Sequence, residues 1–253
     1  MKLDWERYLE HIRADGDLLV GAAADHLDDV VPWCEGWVGR DVLAHTGVVH
    51  RHKTAIVAGA LMDNPNAQTA PSGDDRLLAW YRRGLDELLA ALAAADPATP
   101  VYTWHSPDQS VGFWIRRMAH ETVIHRGDAE STAGSISPLD PALAADGVDE
   151  VLGPIMCAAT DDPLWEFKAD GRTAELRMTD TGDIRHLSLG TGKHCDSWLY
   201  GRGAVDDPAA VIESKASDLD LWAWGRAESS VLHVAGDTSI VETIRTVVAE
   251  VTG

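Results

Sequence analysis

Apolar positions in the first half of the chain recur at helical spacing. Between Leu3 and Leu27 they fall at Leu9, Ile12, Leu18, Leu19, Ala22 and Ala23, one face of a 3.6-residue period, and predict a first helix. A Pro-Trp-Cys-Glu-Gly-Trp turn follows at Pro32 to Trp37, and the stripe Val42, Leu43, Val49, Ile56 and Val57 predicts a second helix over 40–61. Residues 64–73, rich in Pro, Asn and Ser, read as a loop, and Ser72 with Asp75 three residues on marks the next helix start. That third helix carries Leu77, Leu78, Tyr81, Leu85, Leu88, Leu89 and Leu92. It stops before Asp96-Pro97, because the residue preceding a proline disfavours the helical conformation. A fourth helix is expected over 110–130. Four helices of about 20 residues with modest connections describe a four-helix bundle.

The texture then changes. The stretch Ser131 to Pro141 (STAGSISPLDP) is small, turn-forming and proline-bearing, as a linker is. Beyond it the pattern predicts a helix over 142–159, then short strands at 165–168, 174–178, 184–189 and 198–199. Turns are expected at Asp170-Gly171, Thr181-Gly182-Asp183 and the Gly190 to Lys193 stretch, and helices at 207–215, 218–224 and 240–251. The expected architecture is therefore α+β overall: a helical bundle over 1–133, a linker over 134–141 and a smaller α+β domain over 142–253.

Composition narrows the partners. Lys and Arg number 21 against 41 for Asp and Glu, a net charge of −20. Such a surface repels phosphate backbones and anionic lipid, so neither nucleic acid nor membrane is an expected partner. The charged start MKLDWERYLEHIRADGD holds no signal-peptide core, and no run reaches the ~18 apolar residues of a membrane span. Cys34, Cys157 and Cys195 are too few and too scattered for a disulfide framework or a thiolate zinc site. A cytoplasmic protein is expected, as a monomer or a small homo-oligomer.

The densest polar cluster is on the fourth helix, Arg116 to Glu130. His120 and His125 are five residues apart, about 500° of turn, and point in separate directions. Glu121 and His125, four apart, share a face, and a carboxylate and an imidazole one turn apart are usable metal ligands. A third ligand has to come from a facing helix, where His45, His50 and His52 are available. His52 lies two turns from His45, roughly on the same face, so spacing leaves this choice open.

The segments Gly36-Trp37, Asp41-Val42-Leu43-Ala44-His45 and Arg117 to Glu130 resemble the DinB-type bundle of the mycothiol-dependent maleylpyruvate isomerase family. Asp146 to Glu150 and Asp218 to Arg226 are similar to that family's sterol-carrier-like C-terminal domain. The resemblance implies a divalent metal, usually zinc, held by His45, Glu121 and His125, with mycothiol as thiol cosubstrate. Three protein ligands leave an open fourth position, as catalytic zinc sites do. It further implies thiol addition to an electrophilic small molecule, as in maleylpyruvate cis–trans isomerisation or thiol S-transfer. Arg226, in Trp224-Gly225-Arg226, matches a functional arginine of the family, and a guanidinium suits a substrate carboxylate. The residues that bind the thiol are not identified by the motif. Alternatives are a metal-dependent hydrolase on the same bundle and a non-catalytic small-ligand binder with a structural metal.

Overall fold

Asp4 opens the first helix by accepting the Arg7 amide at 2.8 Å, and α1 runs Trp5–Ala24. The computed structural model describes residues 3–60, 69–160, 170–190 and 198–252. The expected strand at 165–168, the Thr191 to Lys193 part of the glycine-rich turn, and Cys195 lie outside them. In α2, Gly39–Val57, the Asp41 carboxylate turns back to accept the Val38 amide at 3.0 Å. α3, Asp74–Ala94, begins one residue later than a Ser72 cap implies. Gly73, at φ 92°, makes the entry turn in a conformation that suits glycine. α4, Val111–Ser131, is capped by Ser110, whose hydroxyl accepts the Phe113 amide.

These four helices, within a unit spanning Leu3–Ser137, bury Ile12, Leu19, Leu43, Leu85, Leu88, Leu92, Ile115 and Met118. The α2–α3 seam is interlocked at two glycines. A methyl group on Gly47 would overlap the Trp80 ring, and one on Gly84 would overlap the Arg51 guanidinium. Arg51 lies 3.8 Å over the Trp80 ring and donates to the Gly47 and Trp80 carbonyls. This wedge fixes the helix that carries His45. Between α1 and α4 a buried Arg126–Asp15 pair closes at 2.8 Å. Residues after α4 fold back onto it, with Ser137 bonded to the Glu130 carboxylate and to Arg126.

The second unit runs from Pro138. Asp140 caps α5, Pro141–Glu150, with Pro141 in its first turn. The single helix expected over 142–159 is instead broken by a π-helical turn, Val151–Ile155, before the short α6, Met156–Thr160. Pro154 lies in that turn, where its missing N–H disrupts a regular α ladder. The strands β1 (Thr173–Met178), β2 (Ile184–Ser188), β3 (Leu199–Arg202), β4 (Ala210–Ser214) and β5 (His233–Gly236) form one sheet in the order β3-β2-β1-β4-β5. β1 and β4 are parallel, from Ala174 opposite Ala210 to Met178 opposite Ser214, and the other pairs are antiparallel.

β4 overturns the helix expected over 207–215. Its residues alternate between buried and half-buried, with Ala210, Ile212 and Ser214 inward, and it is paired on both sides. α7, Ala216–Ala223, and α8, Ser239–Thr252, complete the unit, with Ile240, Val241, Ile244, Val247 and Val248 of α8 buried. An ionic group centred on the buried Asp149 ties the unit's parts together, with Asp149 accepting from Arg185 at 2.6 and 3.1 Å, Arg202 at 2.6 Å and the Tyr200 hydroxyl at 2.6 Å. Among the described residues no helix is long and apolar enough to cross a membrane.

Candidate metal centre

Helical spacing sets one side of the site. Glu121 and His125 project from one face of α4, and His125 Nε2 lies 3.3 Å from Glu121 Oε1. α2 contributes the other side: His45 Nε2 is also 3.3 Å from that same Oε1. The three ligand atoms all lie within 4.8 Å of one another. A tetrahedron with bonds of about 2.0 Å has edges of about 3.3 Å, so the two measured separations suit donors sharing one zinc-sized ion. Two imidazole nitrogens and one carboxylate oxygen are a ligand set that such an ion takes.

The surroundings hold these groups in place. His125 Nδ1 lies 2.9 Å from Asp128 Oδ2, and Asp128 is fully buried. A carboxylate on the second ring nitrogen fixes an imidazole's tautomer and aims the first nitrogen outward. Arg117 pairs with Glu121 Oε2, which leaves Oε1 facing the two histidines. Trp37 stacks on His125 at 6.1 Å with planes 13° apart and packs against His45 at 5.1 Å. Glu121 and His125 are buried, whereas 42% of the His45 side chain is exposed, so the cluster opens on the α2 side.

The electrostatics follow from this packing. Burial pushes the Glu121 carboxyl up, but Arg117 and then His125 outweigh it and hold the group well below the usual carboxylate range. Burial pulls His125 down, yet the Glu121 and Asp128 carboxylates raise it to about 9.

The other histidines of α2 and α4 are placed elsewhere. His50 is fully buried with Nε2 3.0 Å from Thr122 Oγ1. His52 Nδ1 accepts from Lys53, and His120 is buried edge-on to Tyr8. Of the three histidines that spacing left open, His45 is the one brought beside Glu121 and His125. Asp128 and Trp37 were missed as supporting residues. The His-x-x-Asp spacing of His125 and Asp128 was the available signal for the first.

Arg226 is in the second unit, in a helix-ending turn. Gly225, at φ 83°, donates to the Trp222 carbonyl at 3.0 Å, and the Arg226 amide donates to Leu221 at 2.7 Å. This is the paired 5→2 and 6→1 closure of a Schellman motif, which explains the glycine between Trp224 and Arg226. The Arg226 guanidinium donates to the Trp224 carbonyl.

Residues 9–130 match the family described as the mycothiol maleylpyruvate isomerase N-terminal domain. Over 93% of the chain the fold is similar to the crystal structure of the mycothiol-dependent maleylpyruvate isomerase, covering 95% of that chain with a TM-score of 0.63 at 12% identity. A histidine-to-alanine mutant of that isomerase matches over the same shares with a TM-score of 0.61, also at 12% identity. At this identity the likeness is one of fold. No curated protein sequence matches the chain. The helical stretch that carries His45, Glu121 and His125, residues 9–130, belongs to the mycothiol maleylpyruvate isomerase N-terminal domain family.

Proposed function

We propose that the chain is a metal- and thiol-dependent enzyme of the isomerase type, with mycothiol as its thiol and maleylpyruvate, or a related unsaturated acid, as its electrophile. The observation that carries this is the convergence of His45, Glu121 and His125 inside the matched domain. These three residues would hold the ion, zinc by their donor chemistry, and Asp128, Arg117 and Trp37 would keep them aligned. When bound, such an ion supplies a Lewis-acid position at which a thiol loses its proton near neutral pH.

The chemistry then balances without consuming the thiol. Sulfur adds to one carbon of the cis double bond, the π electron pair moves towards the conjugated carbonyl, and the new single bond rotates. Return of the electron pair re-forms the alkene as the trans isomer and expels the thiol. The chain's own part is to orient the reactants. Arg226 would clamp a substrate carboxylate bidentately, and the apolar Trp37 face would keep water from the imidazoles. Thiol S-transfer would use the same groups, with sulfur remaining attached to the product.

Metal analysis tests the ligand set. Purified protein should hold close to one divalent ion per chain, and His125→Ala, which leaves two ligands, should reduce this to a small fraction. Full stoichiometry in that variant would overturn the assignment. Turnover of maleylpyruvate should in addition require mycothiol.

A further inference from the structure

The α4 stripe that supplies Glu121 and His125 continues towards the helix start through Arg117 and Trp114, at successive spacings of three and four residues. Facing it, α2 presents Lys53 eight residues, about 12 Å, beyond His45. The Lys53 ammonium lies 4.5 Å over the Trp114 ring centroid and 3.0 Å from His52 Nδ1. Trp114 is itself buried and fixed, its indole N–H donating to the Tyr102 carbonyl at 2.7 Å. Lys53 is half-buried, and among the described residues it makes no ion pair. The carboxylate that acts on it electrostatically, Glu121, is engaged by Arg117 on one oxygen and by the two histidines on the other.

We infer that Lys53, with Arg117 beside it, forms an anion-binding subsite on the α2–α4 seam next to the His45–Glu121–His125 cluster, and that it seats a carboxylate of the electrophile. This rests on the proposed function for the identity of the ligand, though not for the existence of the subsite. A partly desolvated ammonium without a counter-ion is costly to maintain, and an incoming carboxylate relieves that cost. Charge balance points the same way. With His45 and His125 neutral, as ligation requires, Glu121 and Asp128 carry two negative charges and Arg117 and Lys53 two positive ones, so these side chains balance as a group. A divalent ion would add two positive charges to this balance, which suits a thiolate and a carboxylate arriving together. On a chain of net charge −20, such a local positive focus also draws an anion to the place where it reacts. Burial lowers Lys53 to about 8, leaving it mainly protonated at pH 7.

Titration calorimetry with maleate, a cis-unsaturated dicarboxylate, and with its neutral dimethyl ester tests this at pH 7. Wild type, Lys53→Met and Lys53→Arg are compared, each metal-free and zinc-loaded. Wild type should bind maleate and not the ester. Lys53→Met should weaken maleate binding roughly tenfold or more in both states with zinc stoichiometry unchanged, and Lys53→Arg should keep most of the affinity. Equal affinities for wild type and Lys53→Met, equal binding of ester and dianion, or no maleate binding by wild type in either state would each overturn the subsite. Failure of wild type to take up zinc would count against the metal reading alone, because the metal-free titrations still decide the role of Lys53.

Discussion

The buried histidines of α2 and α4 differ in what meets their second ring nitrogen, and that difference sets their chemistry. His125 has Asp128 on Nδ1, whereas His50 has only Thr122 on Nε2. Thr122 gives its own proton to the Met118 carbonyl at 2.7 Å, so it accepts from His50, and His50 Nδ1 is left buried without a hydrogen-bond partner among the described residues. Burial accordingly lowers His50 to about 3, from an unfolded value near 6.5. Between those values the unfolded chain binds a proton that the native chain refuses, so stability falls as pH drops through this window. From pH 6 to 5 this one group should remove roughly 1.2 kcal/mol, and His50→Gln, which can still donate to Thr122, should flatten the slope by that amount. Urea denaturation of both proteins at the two pH values measures it, and identical slopes would refute the assignment. Spacing made Glu121 and His125 legible as a pair. It could not choose between His45 and His52, which lie two turns apart on one face, because the register of α2 against α4 is set by packing such as the Arg51–Trp80 wedge. Lys53 over Trp114 was hidden for the same reason, since local periodicity carries no information on which side chain a neighbouring helix brings opposite.

At the scale of elements, helices with a continuous apolar stripe were read from the sequence to within a few residues, and the short strands less completely. The segment Asp207 to Lys215 contains Ala209, Ala210, Glu213 and Lys215, residues that favour a helix, yet Ala210–Ser214 is strand β4. Parallel pairing with β1 and antiparallel pairing with β5 decide the matter, and the paired residues lie 20 or more positions apart in sequence. β5, four residues with little buried surface, gave no apolar alternation to detect. The strand assignment predicts a contrast between neighbours. Ile212 is fully buried, so Ile212→Ala should cost about 2–4 kcal/mol, while Val211→Ala, on the half-buried face, should cost about 1 kcal/mol or less. Chemical denaturation of the two variants tests this, and equal losses would argue against the alternating β4 face.

At the scale of the whole molecule, the proposed chemistry is divided between two units. All three candidate ligands lie on α2 and α4 of the Leu3–Ser137 unit, and Arg226 closes a Schellman turn in the unit that begins at Pro138. The turn is made by backbone amides, so the Arg226 side chain can be changed without removing the hydrogen bonds that end α7. Arg226→Ala should therefore leave the metal content at the wild-type level. If the guanidinium clamps a reacting carboxylate, turnover of maleylpyruvate with mycothiol should nevertheless fall by roughly 30- to 1000-fold, as expected for losing a charge-assisted contact of about 2–4 kcal/mol. Arg226→Lys should recover only part of this, because an ammonium cannot make the two parallel bonds of a guanidinium. A neutral electrophile should be slowed far less, which separates a carboxylate clamp from a general loss of structure. Paired turnover and metal measurements on Arg226→Ala, Lys53→Met and the double variant resolve the division. Wild-type rates in Arg226→Ala would reduce Arg226 to its helix-ending role and leave the carboxylate to the α2–α4 seam.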